Sequence, residues 1–241
     1  MGQLYPVAGN KIFMGPALNI VPDDADITVA SFASVTWTEI KGWSTQGSVG
    51  DASQLITEAV ISSGRDWKGK GTKNAGSMQN EFVILPQDVG QIALIAAQAT
   101  DYNYPIKIVM DDAPPATVAI VTATIAAPGV FTGATLVAGT PVKFSTTGTL
   151  PTGIVAGTTY YVVNPSSNTF SVAATVGGAA ITTTGSQTGT HTVTSQPTGT
   201  QKLFYGLIMT ANEVGGGANT ARKLQGNIEI NSIITTVQAA G

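Results

Sequence analysis

The densest chemistry in the chain lies in 64-GRDWKGKGTKN-74. Gly64, Gly69 and Lys70 have the spacing of a phosphate-binding loop, where glycines let backbone amides surround an anion and a lysine reaches its outer oxygens. The apolar run 106-IKIVMDD-112, ending in carboxylates, resembles the strand that accompanies such a loop. Two features oppose that chemistry. Gly71 stands where a Ser or Thr would hold magnesium, and 71-GTKNAGSMQN-80, with two glycines, is a poor helix start. A nucleotide hydrolase also needs strands alternating with crossover helices, whereas one good helix is found among many strands. The expectation is that no nucleotide or other cofactor binds. Arg65, Lys68, Lys70 and Lys73, set against Asp66 alone, then read as a basic flexible loop that meets an acidic partner surface or nucleic acid. The competing reading is a hairpin tip whose lysines are simply solvated.

The remaining inventory is poor in catalytic groups. The 241 residues include no cysteine, which excludes a disulfide framework, a thiolate metal site and a cysteine nucleophile. His191 is the single histidine, so a site built from several imidazoles is excluded; within 189-GTHTV-193 it reads as a solvent-facing side chain. Glu39, Asp51, Glu58 and Glu81 are scattered over strands without a readable pairing, and no acid, base and nucleophile converge. The chain is expected not to be an enzyme. Charged residues make up 10% of it and the net charge is −3. Low charge with many β-branched residues is the opposite of a disordered composition, so much of the surface is expected to be buried, some of it against other subunits.

Any basic or aromatic group must be positioned by strands. Residues 1–26 combine Gly2, Gly9, Gly15, Pro6, Pro16 and Pro22 with the acidic 23-DDAD-26, which predicts an extended docking arm. The start carries no basic region followed by an apolar core, and Pro6 occupies the position where a myristoylation signal needs Ser or Thr. Strands are predicted in 27–43, 54–62, 78–85, 102–112, 202–214 and 223–237. The pair 54–62 and 78–85 is predicted to flank the basic stretch as a hairpin. Between them and 102–112 lies the helix 86-PQDVGQIALIAAQAT-100, with Asp88 as N-cap and Val89, Ile92, Ala96 and Ala99 as the face against the sheet. Trp37 and Trp43 are expected to pack on sheets, while Trp67, beside the basic stretch, is the candidate for a contact between subunits.

From Pro114 to Thr200 no Asp or Glu occurs and Lys143 is the one formal charge. Short Thr- and Val-rich runs alternate with Gly and Pro, and turn-forming 113-APP-115 and 195-SQPTGTQ-201 bound the segment. The uncharged run from Ala116 to Val142 is broken by Pro128, Gly129, Gly133 and Gly139, so β structure is expected there and no membrane insertion. The predicted organisation is an arm at 1–26, a main domain from 27–113 and 201–241, and an inserted β-domain at 114–200.

Taken in order, 36-TWTEIKGWSTQGSVGDASQLITEAVISSGRDWKGKGTKNAGSMQNEF-82, 86-PQDVGQIALIAAQ-98, 104-YPIKIVMDD-112 and 204-FYGLIMTANEVGGGANTARKLQGNIEINS-232 resemble the tail tube proteins of long-tailed bacteriophages. The likeness spans 27–112 and 202–237, and is strongest in 69-GKGTKNAGSMQNEF-82, 87-QDVGQ-91 and 213-EVGGGAN-219 with 228-IEI-230. The insert, with 143-KFSTTGTLPTGIVAGTTYYVVN-164, resembles a β module found as an appendage in phage virion proteins. It departs from the plainest members of the family, in which a short turn joins the two flanking strands.

This resemblance implies a mainly β fold: a tail-tube-like sandwich or barrel with one flanking α-helix, plus an inserted all-β, Ig-like domain. It implies a virion tail location, and self-assembly into rings, usually hexameric, that stack into a hollow tube and meet other tail proteins. Genome DNA would pass through the lumen without specific binding. Arg65, Trp67, Lys68, Lys70 and Lys73 would then contact the next subunit or ring, and the insert would lie outside the tube. The alternative is a related tube or decoration protein whose insert binds carbohydrate or a host surface.

Overall fold

The computed structural model describes residues 4–20 and 22–240; residues 1–3 and 21 of the expected arm lie outside the described residues. In chain order the first part forms β1 (Lys11–Met14), β2 (Thr38–Glu39), β3 (Trp43–Thr45), β4 (Ala52–Glu58), β5 (Trp67–Asn74), β6 (Ser77–Val83), α1 (Val89–Gln98) and β7 (Asn103–Val109). Six strands follow: β8 (Val118–Ala123), β9 (Phe131–Thr132), β10 (Pro141–Thr146), β11 (Thr159–Ser166), β12 (Thr169–Ala173) and β13 (His191–Ser195). The chain then returns through β14 (Gln201–Val214), β15 (Lys223–Ile230) and β16 (Thr235–Val237). No described helix is long and apolar enough to cross a membrane.

Two units result, one from residues 1–111 and 201–237, the other from 112–200 with the last residues from 238 onward. The final residues thus leave the main unit, where they were expected, and Thr198 bridges Ala240. The protein is mainly β; its described residues form one α-helix, a large open sheet and a closed barrel.

In the first unit the sheet order is β2-β1-β7-β14-β15-β6-β3, with β16 also on β14. Alternation decides which side chains turn inward. Leu224, Gly226, Ile228 and Ile230 of β15 face one core with Met78 and Phe82 of β6 and Ile106 and Ile108 of β7, and Leu94 of α1 closes it. The opposite face near β14 holds Leu203 and Tyr205 under Ile27 and Phe32, with Trp37 stacked on Phe32 at 6.4 Å between ring centroids.

Several expectations change here. The arm is not separate throughout, because Lys11–Met14 pairs with both β7 and β2. Residues 27–43 are not one strand: two short 3-10 turns, Asp24–Asp26 and Val29–Phe32, precede β2 and β3. The Asp23 carboxylate accepts from the Ala25 amide, and the Thr28 amide donates to Ser31 Oγ; local side-chain bonds of this kind favour turns over an extended ladder. Residues 223–237 divide into β15 and β16.

The helix begins where its cap predicts, with the Asp88 carboxylate accepting from the Gln91 amide at 2.9 Å. Its buried face is Gly90, Gln91, Leu94 and Ala97; the expected stripe led by Val89 and Ile92 points outward. Gly90 decides that rotation, since a Cβ there would meet the Glu39 carbonyl oxygen and backbone of Ile40 far inside van der Waals contact. Gln91 then fixes it: Nε2 donates to the Lys41 and Val83 carbonyls, both at 2.8 Å, and Oε1 accepts from the Leu85 amide at 3.0 Å.

The second unit is all-β. Its strands close into a barrel in the order β10-β11-β12-β9-β8-β13. Phe131 lies 4.6 Å from Phe144 and 5.5 Å from Phe170 between centroids at the barrel core. The expectation that His191 faces solvent is overturned: it is 4% exposed on the inward side of β13. Closure places it opposite Thr146, whose hydroxyl lies 2.8 Å from His191 Nδ1, and Gln187 Oε1 lies 3.0 Å from Nε2.

Candidate functional site

The basic stretch is not a loop tip. Residues 67–74 form β5, which pairs antiparallel with β4, and the connection between them is 59–66. β6 does not flank it as a hairpin partner but enters the large sheet beside β15. Gly69 and Lys70 are thus extended ladder residues rather than an amide cradle for phosphate. β4 and β5 make a two-stranded sheet of their own.

The pairing register divides this ribbon into two faces. Direct cross-strand partners project to the same side, and the side alternates along each strand. Thr57 is opposite Lys68, Leu55 opposite Lys70 and Ser53 opposite Lys73, so three of the candidate cations share one face with Leu55. Glu58 is opposite Trp67 and Ile56 opposite Gly69, which puts Trp67 and Ile56 on the other. A bulge between Ser53 and Leu55 supplies the extra β5 residue that keeps Lys73 on the lysine side. Arg65 lies in the connection, where the Ser63 hydroxyl donates to its carbonyl at 2.9 Å.

Every residue of β4 is exposed, and on β5 Gly71 alone is partly covered. Trp67 is 65% exposed, and Leu55, Ile56 and Ile61 are exposed with it. The three aliphatics were missed as contact candidates; the signal was 54-QLITEAVIS-62, an apolar strand facing a partner made of Gly, Lys and Thr. Among the described residues the ion pairs are Arg222 with Glu213 and Lys223 with Glu81, so Arg65, Lys68, Lys70 and Lys73 have no carboxylate partner within one chain. At the ribbon base Lys73 lines a cleft with Asp24 and Asp51.

The sheet beside the ribbon carries a second unfinished feature. β14 pairs with β7 as far as Leu207 opposite Asn103; from Ile208 to Val214 it has β15 on one side and no strand on the other among the described residues. Such an edge is a template for pairing with another chain. Nearby, Lys223 Nζ is 2.6 Å from Glu81 Oε2, and the Thr45 hydroxyl donates to the same oxygen at 3.1 Å. The Lys223 bond foremost, and then Thr45, holds the Glu81 carboxyl below the usual range. Lys107 has its ammonium 4.6 Å from the ring centroids of both Phe13 and Trp37, and burial lowers its pKa. Trp43 packs on the main core and donates from Nε1 to Asn80 Oδ1 at 3.1 Å.

Among the described residues no three His, Cys, Asp or Glu side chains are grouped to hold a metal ion. In the insert, Phe131, Phe144, Tyr160 and Phe170 are buried and Tyr161 is half-buried. The chain matches no protein-family model, and no curated protein matches it.

Proposed function

We propose that this protein is a structural subunit that self-assembles into rings, usually hexameric, stacked as the hollow tail tube of a long-tailed bacteriophage. The observation that carries the proposal is the β4–β5 ribbon, exposed on both faces yet bearing Trp67, Leu55 and Ile56. An isolated two-stranded hairpin is marginal in water. A ribbon with a tryptophan and aliphatics on its surface calls for a partner that covers it, and aromatic residues are enriched in such contacts.

The resemblance of 27–112 and 202–237 to tail tube proteins supplies the type of assembly. The open edge of β14 supports it, since edge-to-edge pairing of neighbouring copies completes a sheet by closure. In this reading the protein has no catalytic role and DNA passes through the lumen unbound. Negative-stain microscopy of concentrated protein is the test. Rings or tubes are expected; a monodisperse monomer at high concentration overturns the proposal.

A further inference from the structure

α1 is apolar on two sides. Its ten residues, VGQIALIAAQ, carry no charge. Gly90, Gln91, Leu94 and Ala97 face the sheet, while Val89 is 67% and Ile92 53% exposed on the other side, with Ile95 beside them. A helix that is hydrophobic all round belongs in a buried setting. This one is covered along half its circumference in the single chain.

We infer that the outward face of α1 is the seat of the β4–β5 ribbon from a second copy of this chain, an inference that rests on the assembly reading above. Charge selects the ribbon. Asp88 and Asp101 stand just beyond the two ends of α1, and from Ala75 to Ile106 there is no Lys or Arg; Glu81, the remaining acid of that stretch, is already paired with Lys223. Residues 52–74 hold four of the protein's 11 basic residues and two of its 14 acidic ones. An apolar stripe with a carboxylate beyond each end is thus matched by an apolar ribbon rich in lysine. Trp67 and Ile56 share one ribbon face, which suits the stripe, while Lys68, Lys70 and Lys73 stand on the other and Arg65 lies in the connection next to Trp67.

Pairing two α1 faces with each other would oppose like charges and leave the ribbon uncovered. Ribbon on helix covers both features with one contact. It also joins unlike surfaces, so repetition generates a ring if the rotation closes and a filament if it does not.

The test places a photo-crosslinking benzoyl-phenylalanine at Ile92, and separately at Val89 in case one site perturbs folding. Each variant is mixed with heavy-isotope-labelled unsubstituted protein under assembling conditions, irradiated and mapped by mass spectrometry. Inter-copy crosslinks to peptides within 52–74 are expected. They should fall about tenfold or more when the labelled partner carries Trp67→Glu and Ile56→Glu. Crosslinks to the partner's helix, to the insert, or none at all in assembled protein would overturn the docking inference while rings on the microscope grid leave the assembly reading standing. Protein that stays monomeric at high concentration overturns both.

Discussion

The Asp112 carboxylate accepts two hydrogen bonds from Thr200, one from its amide to Oδ1 and one from its hydroxyl to Oδ2, both 2.6 Å. These residues are 88 apart in sequence and stand at the two ends of the inserted unit. The Thr200 hydroxyl bond is the main reason that the Asp112 carboxyl lies below its ordinary value of 3.8; burial opposes it, and the Thr200 amide bond assists.

Asp112→Asn should therefore destabilise the protein by about 1 kcal/mol at neutral pH, the scale of a half-exposed bond to a charged acceptor. A carboxylate whose folded pKa is depressed contributes stability above its unfolded pKa and loses it as pH falls through the folded value. The difference between wild type and variant should vanish as pH drops below 3.8. Urea unfolding at a series of pH values checks this, and a constant difference down to strong acid would contradict it.

Gly90→Ala should cost about 1–3 kcal/mol, because the new methyl is driven into the Glu39 carbonyl and the helix must lift or turn. Thermal unfolding measures the loss. An unchanged melting temperature would show that α1 is not held against residues 39–40.

Lys68, Lys70 and Lys73 share one face of the ribbon, so reversing all three to Glu presents a single acidic surface. Assembly should fail or require high salt, whereas each exposed substitution should change monomer stability by no more than about 0.5 kcal/mol. Microscopy and denaturation on the same sample separate the two effects. Normal tubes at low ionic strength would show that these lysines are merely solvated.

Val109 pairs with Gln201 across β7 and β14. Replacing 112–200 with a short Gly/Ser turn should leave the sheet and its core folded, since closure entropy changes by only about 0.6 kcal/mol per doubling of loop length. The shortened chain should retain its cooperative melt and still form rings. Loss of folding would show that the insert completes the main core; folding without rings would show that it supplies a subunit contact.

Local chemistry was readable where it acts alone. The 87-QDVGQ-91 start of α1 is fixed by a cap, a close approach and an amide within five residues, and it folds where expected. Which helix face is buried was not readable, because α1 is apolar on both sides and the decision belongs to Glu39, a residue distant in sequence. β5 was hidden for the opposite reason: exposed on almost its whole length, it has no apolar alternation, and its glycines imitate a loop. His191 depends on barrel closure, which brings Thr146 from 45 residues away. Leu55 and Ile56 were written plainly in the sequence as a strand, but their exposure, and that of Ile61 in the connection that follows, comes from the lack of a covering layer.

The register between Val109 and Gln201 also bears on how such a chain can evolve. Antiparallel partners in a sheet sit about 5 Å apart, so to the host strands any foreign domain with adjacent termini is a turn and nothing more. The junction makes no demand on the size of what it carries. A module of another size or surface, entering and leaving at that same spacing, would leave the register of every strand in the sheet the same.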